Sequence, residues 1–223
     1  MNNFELYEKL EVISKLIYAI GDIHGCKNSL EKLVKKVSPQ SKDTMIFLGD
    51  YIDRGPDSKG VIEFLINFLR THPNTVFLKG NHEWMFYEFY KTRDPDMWRL
   101  WEINGANLTL KNYGNIENIP KEHVEFVKNT KIYHIQDGYF FVHAGVKPNK
   151  PIEEQRSEDM LWIREEFIYS DNPLKDHIVV FGHTPMKKPL IMSDKIGIDT
   201  GCIYGGYLTC ICLDDRKIFQ ERC

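Results

Sequence analysis

The feature that most constrains this sequence is a set of short β-rich runs that each end abruptly. Glycine follows within three residues of the end of every run, and the six runs span residues 16–20, 45–48, 75–78, 139–142, 178–181 and 195–198. Each run is too short for a typical helix and is followed by the loop signal expected after a buried strand. The sequence therefore predicts six buried strands whose carboxyl ends lead into tight turns.

Helical patterns lie between the first three of these runs. The segments 30–37 and 61–69 place apolar side chains at helical spacing, so each has one apolar stripe. Ser58 is a candidate cap of the second segment, and a further helix is predicted over Met97–Leu110. Alternating strands and helices indicate βαβ units, whereas strands dominate after about residue 132. This mixture predicts a layered α/β protein rather than a simple doubly wound sheet.

Composition and charge limit the domain organisation and the partners. No linker, low-complexity tract or repeat divides the 223 residues, so we expect one domain over residues 1–223. The net charge of −3, with both signs interspersed, argues against bulk binding of nucleic acid. No stretch has the ~20 apolar residues of a membrane span, and residues 1–16 lack the apolar core of a signal peptide. We expect no membrane partner and a cytoplasmic protein; the oligomeric state stays open, and a monomer is compatible with the sequence.

The cysteines point to the same compartment. The chain has five, at positions Cys26, Cys202, Cys210, Cys212 and Cys223. An odd count with sparse spacing predicts free thiols in a reducing cytoplasm. Cys210 and Cys212 alternate in an apolar run, which favours one face of a strand over half of a zinc site.

Residue types that bind metal ions follow five of the predicted strands. They are Asp22, His24, Asp50, Asn81, His143 and His183. Ligands of open α/β sheets bind beyond the carboxyl ends of strands, so we expect these side chains to converge. Asp22 and His24, two residues apart in an extended segment, are predicted to point to one side. Each residue alone also has a structural interpretation: an incidental loop, a local salt bridge, a helix cap at Asn81, or a satisfied core histidine.

The composition of this set predicts its chemistry. Three oxygen donors and three imidazoles suit manganese, iron or zinc better than calcium. Six ligands are too many for one open catalytic metal and fit two divalent ions that share a carboxylate and acidify a bridging water. Manganese is the first of these candidates. Four other histidines lack flanking glycine and remain unassigned: His72, His123, His134 and His177.

These motifs resemble those of a known family. Gly21–Gly25, Gly49–Gly55, Gly80–Glu83, His143–Gly145 and Gly182–Thr184 are similar, in order, to the motifs of the phosphoprotein phosphatases, which belong to the calcineurin-like metallophosphoesterases. In its size and its ending, Asp199–Gly206, the chain most resembles the bacterial and bacteriophage-lambda type of protein phosphatase. The resemblance covers residues 17–212. It implies an α/β (α+β) β-sandwich of two mixed sheets flanked by helices, in four layers (αββα).

The resemblance also implies roles for the metal ligands. Asp22 and His24 would bind the first metal, and Asp50 would bridge the two ions. Asn81 and the histidines at positions 143 and 183 would bind the second metal.

Catalytic roles follow from the same resemblance. His82 would protonate the leaving oxygen, and Asp53 would orient the His82 ring. Arg54 and Arg164 would bind the phosphate. Asn81 and Tyr204 are further candidates for substrate binding. The physical chemistry agrees, because an imidazolium beside a carboxylate can donate a proton and fixed guanidinium groups stabilise phosphoryl charge. Since the attacking group would be water, we expect no covalent phosphoenzyme.

Three functions compete at this point. The favoured one is a metal-dependent phosphomonoesterase, a serine/threonine protein phosphatase that acts on a phosphorylated protein or a small phosphoester. The alternative is a symmetrical dinucleoside tetraphosphate hydrolase. The chain shares Cys26, directly after Gly25, with that group, whereas Asp53-Arg54 and Glu83 resemble the phosphatase version more closely. A non-catalytic metal-binding module is disfavoured by the presence of His82 and Arg54.

The segment 84–110 is rich in aromatic residues. A helical core or cap is favoured over a substrate-binding lid for this segment.

Overall fold

The computed structural model of the protein describes residues 15–223. The prediction about a signal peptide falls mainly on residues 1–14, which lie outside the described residues. The strands are β1 Ile17–Ile20, β2 Thr44–Phe47, β3 Thr75–Phe77, β4 Tyr133–Gln136, β5 Tyr139–Val142, β6 Ile178–Phe181, β7 Leu190–Ile191, β8 Lys195–Gly197, β9 Tyr207–Cys212 and β10 Ile218–Arg222. The α-helices of this part of the chain are α1 Lys27–Val37, α2 Ser58–Thr71, α3 Asn81–Thr92, α4 Pro95–Ile103, α5 Ala106–Tyr113, α6 Lys121–Lys128, α7 Ser157–Trp162 and α8 Glu165–Ile168.

The strands form two five-stranded mixed sheets. The first has the order β10-β9-β1-β2-β3 and the second the order β4-β5-β6-β8-β7. In the first sheet β1, β2 and β3 run parallel, and in the second β5, β6 and β8 do. The remaining pairs are antiparallel. Each sheet thus presents the carboxyl ends of three parallel strands at one edge, where open sheets bind ligands.

The alternation of side chains along each strand explains how the sheets pack. Ala19 of β1 faces the second sheet and shares a buried cluster with Phe141 and Val180. Its neighbours Tyr18 and Ile20 point the other way and pack with the helices on the outer face of the first sheet. A strand buried on both faces must be apolar throughout, which is the pattern that the sequence shows.

The second sheet has a helical layer of its own. Phe140 and Val142 of β5 pack with Met160 of α7 and Phe167 of α8. The order of layers is therefore helix, sheet, sheet, helix, and the predicted four-layer α/β sandwich is confirmed.

The start of α2 differs from the prediction. The cap is Asp57, whose carboxylate accepts a hydrogen bond from the Gly60 N–H at 2.8 Å. Ser58 is the first helical residue, and its hydroxyl instead accepts from the backbone N–H of Asp53 at 3.0 Å. The prediction of a Ser58 cap is wrong because this side chain supports the loop before the helix.

The prediction of one helix over Met97–Leu110 is also wrong, because this segment contains parts of two helices, α4 and α5. Gly105 has φ of +109° and separates α4 from α5. A Cβ at this position would lie 2.9 Å from the side chain of Arg54 and 3.0 Å from its backbone nitrogen. The break therefore allows the helical pair to approach the Arg54 loop closely. In the surrounding aromatic segment Phe86 and Trp101 are buried in the core.

The prediction of five free thiols is wrong for two of them. Cys202 and Cys223 form a disulfide, while Cys26, Cys210 and Cys212 are free. Sequence spacing does not reveal the pair, because the antiparallel pairing of β9 with β10 brings the end of the chain back to the turn before β9. Cys210 and Cys212 are both buried on the helix-facing side of β9, as their alternation predicts.

The helices of residues 15–223 include none that is long and apolar enough to cross a membrane.

Candidate active site

The six predicted metal ligands all lie at the strand ends and are almost completely buried. None of them is more than 5% exposed. Asp22 and His24 follow β1, Asp50 follows β2, and Asn81 is the first residue of α3. The remaining two, His143 and His183, follow β5 and β6 of the second sheet. Gly80 rather than Asn81 is the cap of α3, so the Asn81 amide is not used at the helix start.

The loops that carry these residues are conformationally unusual. Five predicted site residues have a positive φ between 46° and 69°: His24, Asp50, Asp53, Arg54 and His183. Residues other than glycine rarely adopt this conformation, because it costs of order 1–3 kcal/mol. Residues strained in this way are concentrated at functional sites. The expectation that Asp22 and His24 lie in an extended segment is wrong, because β1 ends at Ile20 and the chain turns at His24.

Two groups of possible metal ligands share Asp50. One is His24, Asp50 and His82, and the other is Asp50, His143 and His183; in each group the ligand atoms lie within 4.8 Å of one another. The Asp50 carboxylate divides between them. Its Oδ2 is 3.4 Å from His24 Nε2, and its Oδ1 is 3.4 Å from His143 Nε2.

Hydrogen bonds to backbone carbonyls fix the imidazoles. His24 Nδ1 lies 3.0 Å from the Ile52 carbonyl oxygen, and His143 Nδ1 lies 2.8 Å from that of Leu48. A carbonyl can only accept, so Nδ1 carries the proton in both rings and Nε2 presents its lone pair to the site. This is the orientation that second-shell partners impose on metal-binding histidines.

The candidate ligand atoms of Asn81, His143 and His183 therefore lie close together, and His143 Nε2 has no proton of its own in the neutral ring. His143 Nε2 lies 3.0 Å from Asn81 Oδ1 and 3.2 Å from His183 Nδ1, and the buried His183 Nε2 has no hydrogen-bond partner. Burial lowers the pKa of His143 to about 3, so the ring is not an imidazolium at neutral pH. A cluster of buried acceptors is unfavourable unless a cation lies among them. The residues present fit a divalent metal.

The carboxylates lead to the same result. Burial raises the pKa of Asp22 well above its usual range, and the nearby Asp199 and Asp50 raise it further. The pKa of Asp50 is likewise raised, by burial and then by Glu83. The Asp22 carboxylate accepts two bonds from the His183 N–H, at 3.0 and 3.1 Å. A bound cation would offset the cost of ionising this group of acids.

His82 belongs to the first ligand group, which does not include the predicted ligand Asp22, and it is paired with the buried acid Asp53. His82 Nδ1 is 2.7 Å from Asp53 Oδ2, and that carboxylate also accepts from Trp101 Nε1 at 2.8 Å and from the Thr109 hydroxyl at 2.6 Å. Burial raises the pKa of Asp53 to about 7, although both of these hydrogen bonds lower it. Burial lowers the pKa of His82, as do Arg54 and Arg164. The His82 Nε2 atom is buried without a partner, so it is available to a bound molecule.

Two guanidinium groups lie close to the two ligand groups. Arg54 Nη1 donates to the Tyr204 hydroxyl at 3.0 Å, and its Nε donates to the Asn104 carbonyl at 3.3 Å. Arg164 Nη1 donates to the His183 carbonyl at 3.0 Å. Both arginines are close enough to lower the pKa of His82 and His143, so the site has a fixed positive rim.

Several supporting residues were not assigned a role from the sequence. Glu83 accepts from the N–H groups of Asp50 and Tyr51, each at 2.8 Å, and of Gly80 at 2.9 Å, which holds the Asp50 loop against α3. Asp199 follows a predicted strand as Asp50 does, so a usable signal existed for it. For Trp101, Thr109 and Asn104 no local signal exists, because they reach the site from α4 and α5. The four unassigned histidines belong to neither ligand group within residues 15–223.

The chain matches known proteins over almost its whole length. The profile of the calcineurin-like phosphoesterases matches residues 15–218. Serine/threonine-protein phosphatase 1 of Salmonella typhimurium is 30% identical over 219 residues, covering 92% of this chain and 95% of that protein. The asymmetrical bis(5'-nucleosyl)-tetraphosphatase PrpE of Oceanobacillus iheyensis is 29% identical over 220 residues, covering 85% of each.

A solved structure shares the fold. The cold-active protein-tyrosine phosphatase of a psychrophilic Shewanella species superimposes with a TM-score of 0.70, covering 93% of this chain and 80% of that one. At 16% identity this likeness concerns the fold alone.

Proposed function

Since the chain belongs to the calcineurin-like phosphoesterase family and is a hydrolase of phosphoester bonds, we propose that it is a metal-dependent phosphomonoesterase that removes phosphate from serine and threonine residues of proteins. The proposed activity belongs to one catalytic domain over residues 1–223 in the cytoplasm.

The observation that carries the proposal is the buried pair of His82 and Asp53. Its 2.7 Å hydrogen bond orients the ring, and Nε2 has no partner of its own. A serine or threonine alkoxide is a poor leaving group and requires a proton, which His82 can supply from Nε2 when the ring is the imidazolium, protonated at both nitrogens. A nucleotide leaving from a polyphosphate is already a stable anion and needs this proton less. The pair therefore favours esters of alcohols.

The remaining roles follow from position. Asp22 and His24 would hold one divalent ion and Asn81, His143 and His183 the other, with Asp50 between them. When bound, the ions supply an acidified water and neutralise phosphoryl charge. Manganese is the metal we propose, and iron and zinc suit the same donors.

The rim residues would bind the phosphoryl oxygens. Arg54 and Arg164 offer planar guanidinium groups suited to two-point contact with phosphate. Tyr204, whose hydroxyl accepts a hydrogen bond from Arg54, and Asn81, which lies against His143 Nε2, complete the proposed set of substrate contacts. Because water is the proposed nucleophile, no serine or cysteine is phosphorylated during turnover.

A second candidate is hydrolysis of dinucleoside tetraphosphates. It is favoured by the PrpE relative and by Cys26 directly after Gly25. The name of that relative specifies asymmetrical cleavage. The second candidate is therefore asymmetrical hydrolysis of the tetraphosphate, in place of the symmetrical reaction expected from the sequence. A non-catalytic module is not supported, since the family and both relatives are hydrolases.

One substrate panel separates the two candidates. A manganese-loaded preparation is assayed with p-nitrophenyl phosphate, phosphoserine and phosphothreonine peptides, and diadenosine tetraphosphate, with His82→Asn as the control for contaminating activity. We expect kcat/KM to be highest for a phosphopeptide. Much faster cleavage of the tetraphosphate would support the second candidate, and its nucleotide products would show whether cleavage is asymmetrical.

A further inference from the structure

Three cysteines from distant parts of the chain converge beside the candidate active site. Cys26 precedes α1, Cys202 begins the 3-10 turn Cys202–Tyr204, and Cys223 follows β10. Their sulfur atoms all lie within 4.8 Å of one another. The Cys202–Cys223 disulfide has a Cα–Cα distance of 5.2 Å, within the usual range. A third, free sulfur is thus in immediate reach of an existing disulfide.

The cluster is open to small reagents. The three cysteines line a cavity of about 770 Å³, together with Lys27 and Arg222. Cys223 is exposed and Cys26 half-buried, whereas Cys202 is buried. A small thiol can therefore approach the disulfide from the Cys223 side without unfolding the protein.

The disulfide also connects to the phosphate-binding rim. Cys202 is two residues before Tyr204, whose hydroxyl accepts the 3.0 Å hydrogen bond from Arg54. Glycines with positive φ flank the turn, Gly201 at 69° and Gly205 at 82°. The Tyr204 side chain is 65% exposed, so little packing holds it in place. Backbone hydrogen bonds within the turn, such as Tyr204 N–H to Gly201 O at 2.9 Å, fix its local shape, and the disulfide ties it covalently to the end of β10.

We propose that Cys26, Cys202 and Cys223 form a thiol–disulfide exchange site whose redox state sets the position of Tyr204 against Arg54 and thereby the affinity for phosphate. The effect on affinity rests on the proposed function of Arg54, whereas the exchange site itself does not. Within the reducing compartment proposed above, disulfides are usually transient and responsive rather than permanent.

The chemistry balances in two steps. In the exchange, the Cys26–Cys223 bond forms, the Cys202–Cys223 bond breaks, and the proton lost by the Cys26 thiol ends on Cys202. No electrons are gained or lost. In reduction, an external dithiol gives two electrons and two protons to the disulfide and leaves as a cyclic disulfide, and both cysteines become thiols.

Peptide mapping tests the exchange site without any assay of activity. The full-length protein is oxidised in air, treated with substoichiometric dithiothreitol, quenched with acid, alkylated and digested without reduction. We expect a Cys202–Cys223 linkage before treatment, and linkages that contain Cys26 after it. Complete alkylation of Cys202 and Cys223 in the oxidised protein, or absence of every Cys26 linkage, would overturn the proposal.

Binding of inorganic phosphate tests the link to Arg54. Calorimetry compares oxidised protein with protein that is reduced, freed of reductant and then loaded with manganese. We expect about two- to tenfold weaker binding in the reduced form, the effect of losing one hydrogen bond. Cys223→Ser should bind weakly in both states, Cys26→Ser should keep the difference, and Tyr204→Phe should lose it. Equal affinity of oxidised and reduced wild-type protein would contradict the coupling, even if no substrate is hydrolysed.

Discussion

At the scale of single residues, the site depends on which ring nitrogen of each histidine remains free to bind a metal ion or a substrate. Backbone carbonyls take the Nδ1 protons of His24 and His143, and Asp53 takes that of His82. Each ring therefore turns Nε2 toward the Asp50 carboxylate. Asp50, with two carboxylate oxygens and a strained φ of +52°, is the residue common to both ligand groups.

Replacing His82 tests its role as the acid. His82→Asn removes the proton donor but leaves the ligands of both proposed ions, so we expect kcat to fall by about 10²–10⁴-fold. Metal content, measured by mass spectrometry of the dialysed protein, should be unchanged. The loss should be smaller for p-nitrophenyl phosphate, whose leaving group needs little help from an acid. Wild-type turnover of a phosphopeptide by this variant would rule out the role.

The buried acids predict a pH dependence of metal-linked stability. Burial raises the pKa of both Asp53 and Glu83 to about 7 in the metal-free protein. An acid with a raised folded-state pKa stabilises the fold while protonated, fully below its unfolded pKa of about 4, and loses that contribution as pH rises through about 7. The metal-free protein should become less stable across this window.

Metal binding should reverse that trend. Protons compete with cations for Asp22 and Asp50, whose pKa values are also raised, so affinity should increase with pH. We expect the difference in Tm between manganese-loaded and metal-free protein to be larger at about pH 8 than at about pH 5. Thermal melts at both values measure it, and a difference that does not change with pH would contradict the prediction.

At the scale of elements, the pair of helices α4 and α5 supports the site from outside the strand ends. Trp101 of α4 and Thr109 of α5 both donate to Asp53, and Gly105 between them lies against Arg54. The element boundaries show what local sequence can predict. Apolar runs ending near glycine place β5 and β6 at the observed residues, and the Asn104-Gly105 dipeptide is a local turn signal for the break between α4 and α5, whereas the approach of Gly105 to Arg54 depends on a loop about fifty residues earlier.

Substituting Gly105 tests this support. Gly105→Ala places a Cβ 2.9 Å from the Arg54 side chain, at φ of +109°, so Arg54 must shift and KM for a phosphoester should rise several-fold. Gly138→Ala is the matched control, since Gly138 also has positive φ (+79°) but no atom lies within 4 Å of an added Cβ. Both should lose about 1 kcal/mol of unfolding free energy from backbone strain. Equal KM values in the two variants would show that the contact with Arg54 is unimportant.

At the scale of the whole molecule, stacking the two sheets brings distant ligands together. β1 and β2 supply Asp22, His24 and Asp50, and β5 and β6 of the other sheet supply His143 and His183. The short apolar runs and the residue types that follow them are local signals, so the strands and the candidate ligands could be proposed from the residues alone, whereas the four layers are implied only by the family resemblance. The left-handed loops, the role of Glu83 and the Cys202–Cys223 pair could not be predicted, because each is determined by contacts between distant segments.

The contact between the sheets should contribute strongly to stability. Phe141 is completely buried there, so Phe141→Ala should lower the free energy of unfolding by about 3–5 kcal/mol. Tyr169→Ala is the control, because that ring is 84% exposed and its loss should cost no more than about 0.5 kcal/mol. Urea denaturation followed by circular dichroism measures both. Similar losses would show that the interface is not a principal core.

A crystal structure of the manganese-loaded enzyme with anomalous data tests most directly whether two cations share the Asp50 carboxylate. We expect two anomalous peaks about 3.5–4 Å apart, with Asp50 bound to both. A single peak, or peaks that Asp50 does not contact, would contradict it.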